Sequence, residues 1–235
     1  GRGTFIAKKE WRNHTVSSKK LALLLPSITE HVFPEILRGA EDVCHERGYS
    51  LTVCNTDNDP KKQIKYLHKM DQEHVDGLII TPIKWHSVAL EHYERLLADK
   101  IPFVFVNRFI PELKVDHVVA DNVLGGYLAT SHLIKLGYKR IAYISVPRHN
   151  VAEERLEGYK EALEEAGLKF DEGLVKFGES AEEKHGYTGM KSFLDKGDYP
   201  QAVFAYNDQI AKEVYEAVIE AGLRVPEDIT LVGFD

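Results

Sequence analysis

From Lys20 onward the chain alternates short apolar runs with longer amphipathic stretches, and few folds accept that rhythm. The runs Leu21–Leu25, Tyr49–Cys54, Gly77–Thr81, Phe103–Val106, His117–Ala120, Arg140–Ser145, Leu174–Phe177, Ala202–Ala205 and Ile229–Gly233 are predicted strands. Leu21-Ala22-Leu23-Leu24-Leu25 is apolar at every position. A strand buried on both faces of a parallel sheet reads that way.

The stretches between them carry helix punctuation. Pro34 stands where a first turn accepts proline, and Gly48 follows the last apolar position of a stripe formed by Ile36, Leu37, Ala40, Val43 and Cys44. A second helix is predicted from Pro60 with Ile64, Leu67 and Met70 inward, and a third over Ser87–Ala98 with Leu90, Tyr93 and Leu97 inward. Asn122 reads as the cap of a fourth, ending at Gly137, with Leu124, Leu128 and Leu136 inward. Leu156, Tyr159, Leu163 and Ala166 mark a fifth. His185–Leu194 is a sixth, weakened by Gly186 and Gly189, and a seventh from Asp208 buries Ile210, Val214, Ala217, Val218 and Ala221.

This order predicts an α/β fold with right-handed crossovers. Two sheets of about four to six strands suit the length better than one large sheet. The expected architecture is therefore two doubly wound parallel-sheet subdomains, 20–120 and 121–235, meeting near Asp121 with a ligand cleft between them. The first twenty residues carry Arg2, Lys8, Lys9, Arg12, Lys19 and Lys20 against Glu10 alone, without a sustained period, and read as a basic linker.

Composition excludes several classes of function. With 43% hydrophobic and 29% charged residues the chain has ordinary globular usage. The net charge of −7 argues against nucleic-acid binding by the bulk surface. No apolar run approaches the ~18 residues of a membrane span, and the polar N-terminus has no signal-peptide h-region. Cys44 and Cys54 make no disulfide scaffold. A cytoplasmic protein without membrane contact is expected.

Ligands of open α/β sheets bind beyond the carboxyl ends of the strands. That rule collects Ser27, Ile28, Glu30, His31 and Phe33, then Lys84 and Trp85, Asn107 and Arg108, and Arg148, Asn150 and Arg155. Tyr206, Asn207 and Asp208, with Phe234 and Asp235, complete it. Arginine forks, carboxylates, amides and rings suit a neutral polyol, whose hydroxyls donate and accept and whose C–H faces lie on aromatic rings. Candidate binding residues are Glu30, Phe33, Lys84, Asn107, Arg108, Arg155, Tyr206, Asn207, Phe234 and Asp235. Arg155 has another reading, as a solvated ion pair with Glu153, Glu154 or Glu157. Asp208 is expected to cap the helix that follows, leaving Asn207 for the ligand. No nucleophile elbow, phosphate loop, dinucleotide fingerprint or metal-ligand spacing occurs, so neither a catalytic centre nor a cofactor is expected.

These residues resemble a known family. Leu23–Phe33 with Glu35-Ile36-Leu37-Arg38-Gly39, Gly48-Tyr49, Cys54-Asn55-Thr56-Asp57 and Val75-Asp76-Gly77-Leu78-Ile79 are similar to the sugar-sensing core of LacI/GalR-type repressors and periplasmic sugar-binding proteins. So are Ile101-Pro102-Phe103-Val104, Val119-Ala120-Asp121-Asn122, Arg155-Leu156-Glu157-Gly158-Tyr159 and Asn207-Asp208-Gln209-Ile210-Ala211. Leu223-Arg224-Val225-Pro226-Glu227-Asp228-Ile229 running into Val232-Gly233-Phe234-Asp235 completes the likeness.

The resemblance implies a type I periplasmic-binding-protein fold, effector contacts at Arg155, Asn207 and Asp235, and stacking at Phe33. Asn107-Arg108 stands where the family often has Asp-Arg, so a carboxylate acceptor is lost there. Gly1-Arg2-Gly3-Thr4-Phe5-Ile6 resembles the wing and last strand of a GntR-type winged helix. A GntR-type reader on a LacI-type core is the arrangement of arabinose-responsive regulators. It implies L-arabinose or a related sugar as effector, a homodimer, and operator DNA bound by an N-terminal domain largely outside these residues. The Pro34–Arg47 helix is a candidate dimer face, unless its stripe is wholly intramolecular. Relatives of this kind continue past Asp235 and cross back, so the second subdomain is expected to be truncated. A sugar carrier of an ABC transporter is the alternative, with an enzyme on the same architecture a third reading. Purines and phosphosugars also bind relatives, but Glu30 and Asp235 disfavour a phosphate beside them.

Overall fold

The computed structural model describes residues 17–29, 32–83, 90–179 and 184–234. The chain divides into two compact units, Gly1–Val119 and Ala120–Asp235. The first runs β1 (Lys20–Leu25), α1 (Phe33–Glu46), β2 (Ser50–Asn55), α2 (Pro60–Gln72), β3 (Gly77–Ile80), α3 (Leu90–Ala98), β4 (Phe103–Val106) and β5 (His117–Val118). Its five strands pair in the order β2-β1-β3-β4-β5. Every ladder is parallel, and Leu24 stands in register with Cys54 on one side and Ile80 on the other.

The apolar run of β1 has the two-faced burial its composition demands. Ala22 and Leu24 pack with Leu67 and Met70 of α2 and Tyr93 and Leu96 of α3. Leu23 and Leu25 pack on the opposite face with Phe33, Ile36, Leu37 and Ala40. Leu23, Leu24 and Leu25 are wholly buried, each contributing about 1.5–3 kcal/mol of hydrophobic stabilisation. Pro60 begins α2 behind Asp59, whose carboxylate accepts from the Lys61 amide.

The second unit runs α4 (Asn122–Lys135), β6 (Ile141–Ser145), α5 (Asn150–Glu165), β7 (Val175–Phe177), α6 (His185–Leu194), β8 (Ala202–Ala205), α7 (Asp208–Glu220) and β9 (Thr230–Val232). Its sheet has the parallel order β7-β6-β8-β9. Ile141, Tyr143, Ala202 and Phe204 meet Ala129 and Leu133 of α4 and Leu156, Tyr159 and Leu163 of α5. Ala142, Ile144, Val203 and Ala205 meet α6 and α7 on the other face. Both sheets reverse strand order beside their first strand, so each has a topological switch point: β1/β3 in one unit and β6/β8 in the other.

The inward faces differ from expectation in α4. Leu124, Leu128 and Leu136 are 49%, 56% and 58% exposed, and the buried side of the helix holds Asn122, Gly125, Gly126, Ala129, Thr130 and Leu133. The cause is the close approach of α4 to α5. A methyl on Gly126 would overlap the Arg155 carbonyl, and one on Gly158 would overlap the Val123 carbonyl. Small residues are needed at that crossing, so size rather than hydropathy selects the packed face. In α3, Leu96 is buried and Leu97 is exposed. In α1, Val43 points to solvent. The expected strand His117–Ala120 is shorter, ending at Val118.

Candidate functional site

In the first unit, the turn after β4 shapes the arginine. Asn107 adopts a left-handed φ of 65°, a conformation asparagine accepts more readily than most residues. The Asn107 amide donates to Val118 O and the Arg108 amide to Val106 O, which fastens the turn to β5 and to itself. Arg108 then folds inward and is only 8% exposed. Its Nη1 donates to Asn58 Oδ1 at 3.1 Å and to Pro82 O at 3.4 Å. The guanidinium carbon stands 5.7 Å from the Phe33 ring centroid. Three carboxyl-end loops, after β2, β3 and β4, thus meet at one cation, and Phe33, the first residue of α1, joins them.

The β3 loop is itself pinned from within. Gln63 of α2 is wholly buried. Its Nε2 donates to Thr81 O, and its Oε1 accepts from the Ile83 amide and the Tyr93 hydroxyl. Asn58 and Gln63 are residues that sequence reasoning missed: Asn58 lies in the loop after β2, from which the strand-end rule collected nothing, and Gln63 lies within α2. Glu30 and Lys84 lie outside the described residues.

In the second unit, Arg155 is the centre. It sits on α5, 6% exposed. Its Nε donates to Asn122 Oδ1 at 3.1 Å, and its Nη1 donates to Phe234 O at 2.9 Å and to Tyr206 O. The guanidinium carbon is 4.4 Å from the Tyr206 ring centroid and 4.5 Å from that of Phe234. Aromatic faces therefore flank the cation while amide and carbonyl oxygens satisfy its edge. The open reading of Arg155 as a solvated ion pair does not hold. Glu153 pairs with Arg148 instead, and Glu154 Oε2 accepts from Asn122 Nδ2 at 2.9 Å. Burial raises the Glu154 carboxyl above its ordinary value, against the opposing hydrogen bond from Asn122.

Glycine makes room for this arrangement: a methyl on Gly125 would overlap the Phe234 ring. His149 is the N-cap of α5, its Nδ1 accepting from the Ala152 amide at 3.4 Å. Its Nε2 lies 3.5 Å from the Tyr206 hydroxyl, with the two rings nearly perpendicular. Capping Nδ1 leaves the proton on Nε2 in the neutral ring.

Two capping expectations are corrected. Asn207, not Asp208, is the N-cap of α7, its Oδ1 accepting from the Ile210 amide at 3.0 Å. A cap needs extended backbone, which Asn207 has and the first helical residue Asp208 does not. Only the Nδ2 end of Asn207 is left to face a ligand. Likewise Asp121, not Asn122, caps α4, accepting from the Leu124 amide. That frees the buried Asn122 to meet Arg155. Asp235 lies outside the described residues. Asn122 and His149 are the site residues that sequence reasoning missed in this unit.

Among the described residues, no group of three His, Cys, Asp or Glu side chains is placed to hold a metal ion. No helix there is long and apolar enough to cross a membrane.

The geometry of each unit is a carboxyl-end cluster at the switch point of a doubly wound sheet. Comparison with known proteins gives the class a family. The description "periplasmic binding proteins and sugar binding domain of LacI family" matches residues 18–235. The ribose operon repressor of Escherichia coli is 36% identical over 216 residues, 92% of this chain and 64% of that protein. The arabinose metabolism transcriptional repressor of Halalkalibacterium halodurans is 30% identical over 247 residues, 100% of this chain and 64% of that protein. Among solved structures, the transcription regulator CcpA of Lactococcus lactis superposes with a TM-score of 0.80 at 30% identity, covering 90% of this chain and 76% of that one. The chain belongs to the family of periplasmic binding proteins and LacI-type sugar-binding domains. It spans about two thirds of the length of the curated relatives it matches.

Proposed function

We propose that the chain is the effector-binding core of a cytoplasmic transcriptional repressor, without catalytic activity, that binds an uncharged sugar between its two subdomains. The observation that carries the reading is Arg155, a buried arginine at the β6/β8 switch point with its guanidinium carbon over the rings of Tyr206 and Phe234. With Nε and Nη1 bonded within the protein, Nη2 is the donor left to a polyol hydroxyl, beside rings that suit its C–H faces. Phe33, Arg108, Tyr206, Asn207 and Phe234 join Arg155 as contacts, with Glu30, Lys84, Asn107 and Asp235 completing the set.

Operator DNA is held by an N-terminal domain in a homodimer. The sugar shifts the balance between two arrangements of the subdomains by the difference in its affinity for them, and so alters DNA binding. L-Arabinose is the preferred effector. Alignment with the arabinose repressor extends over the whole chain, including the basic arm, whereas that with the ribose operon repressor covers 92%. The same extent supports a GntR-type reader ahead of the arm. The GntR-like motif itself falls on residues 1–6, outside the described residues.

The test is calorimetry of the chain with L-arabinose, D-ribose and a panel of hexoses, with Arg155→Ala beside it, followed by operator release by the full-length repressor. Loss of the charged contact is expected to cost about 1.5–3 kcal/mol of binding. A chain that binds no sugar overturns the reading. Binding without any effect on DNA supports a transporter's sugar carrier instead.

A further inference from the structure

We infer that Asn122 is a positioning residue of the effector site, fixing Arg155 through its side-chain amide. The inference rests on the effector reading given above. Asn122 is 3% exposed at the first position of α4. Its Nδ2 donates to Ala120 O at 3.1 Å and to Glu154 Oε2 at 2.9 Å. Those two acceptors decide which way the amide faces, since only the NH2 end can donate to them. Oδ1 is thereby turned toward Arg155 Nε.

The consequence for the arginine follows from its other bonds. Nη1 is engaged by the carbonyls of Tyr206 and Phe234, at the ends of two different strands. Asn122 is the one side chain among the described residues that bonds the guanidinium edge. Remove it, and Nε becomes a buried donor without an acceptor, which the side chain relieves by rotating away. Rotation takes Nη2 out of its direction and the plane out from between the two rings. The same amide holds Ala120, the first residue of the second unit. Asn122 therefore ties the chain's entry into that unit to the orientation of Arg155.

The decisive measurement is the Nε–Hε resonance of Arg155 in the whole ¹⁵N-labelled chain, assigned by its loss in Arg155→Lys, together with calorimetry using L-arabinose and D-ribose as probes. In the native chain the resonance is expected to be displaced by the Tyr206 and Phe234 ring currents. In Asn122→Ala the displacement collapses, and affinity for whichever probe binds falls about tenfold or more. Asn122→Asp combined with Glu154→Gln keeps the acceptor and lets the new amide donate to the new carboxylate, so it retains the displaced resonance and binds within a few fold of the native chain.

The inference is overturned if Asn122→Ala leaves the resonance unchanged, whatever happens to affinity. It is equally overturned if Asn122→Asp combined with Glu154→Gln loses the displaced resonance, a comparison that stands even where the alanine variant does not fold. A native chain that binds neither probe sinks the effector reading alone, because the resonance still decides the positioning role.

Discussion

Gly126 lies so close to the backbone carbonyl of Arg155 that a single methyl group there would overlap it. The two helices that carry the second unit's cluster are thus in backbone contact at the residue that matters most. Gly126→Ala is expected to destabilise the chain by about 1–3 kcal/mol, as overpacking does. It should also separate α4 from α5 enough to stretch the Asn122–Arg155 bond. Urea unfolding checks the first effect. An unchanged midpoint would mean that the crossing is looser than described.

Gln63 offers a test in the other unit. It satisfies Thr81 O, the Ile83 amide and the Tyr93 hydroxyl from a fully buried position. Gln63→Leu keeps similar bulk but leaves those polar groups unpaired, at an expected cost of about 1–3 kcal/mol. Hydrogen exchange at Ile83 should quicken with it, because the loop after β3 loses its inner anchor. Retained protection at Ile83 would count against that anchoring role.

The point where the basic arm joins the core is gripped by one carboxylate. Asp76 accepts from the Ser18 amide and hydroxyl, each at 2.9 Å, from the Lys19 amide at 3.0 Å and from the Ser17 hydroxyl. Partial burial alone would raise its pKa, but these hydrogen bonds outweigh that and hold it below the ordinary value. A carboxylate depressed in the fold stabilises it above the unfolded value of about 3.9, and that contribution is lost as pH falls through the lower folded value. Melting temperature is therefore expected to drop on acidification through this range, and less so in Asp76→Asn. Parallel acid profiles for the two proteins would refute the clamp.

The cysteines should be inert in the folded chain. Cys44 and Cys54 are free and buried, and burial pushes the Cys54 thiol up to about 11, with Lys69 opposing and Glu73 adding to the rise. At pH 8 about one Cys54 in a thousand is thiolate, before access is considered. An aromatic disulfide reagent is expected to label neither until denaturant is added. Rapid labelling of the native chain would show a core open to solvent.

The strands β1, β3, β6 and β8 were legible because burial on both faces leaves no alternative to an apolar run, whereas the more exposed β2, β5 and β7 were read from their place in the alternation. All nine predicted runs are strands, with ends shifted by a few residues at most. The helix faces were less so. The leucines of α4 carry the louder hydropathy, yet Gly125, Gly126 and Ala129 are buried, because the neighbour is another helix backbone rather than a sheet surface. Arg155, Tyr206 and Phe234 were found by the strand-end rule, and they do cluster. Asn122 and Gln63 were not, since each acts through a residue that the fold, not the spacing, brings within reach. Asn207 and Asp208 are adjacent acceptors at one helix start, and only backbone geometry separates cap from first helical residue.

The locked setting of Arg155 has a consequence for discrimination. An arginine on the surface gives up side-chain freedom of the order of 2 kcal/mol when a guest immobilises it. Here oxygens from Asn122, Tyr206 and Phe234 have already taken that freedom. A guest reaching the remaining edge meets a peg that neither yields nor adjusts. For the sugar effector proposed above, two epimers differing in one hydroxyl would then be told apart by whether the oxygen falls where the peg points, since the peg will not move to meet it.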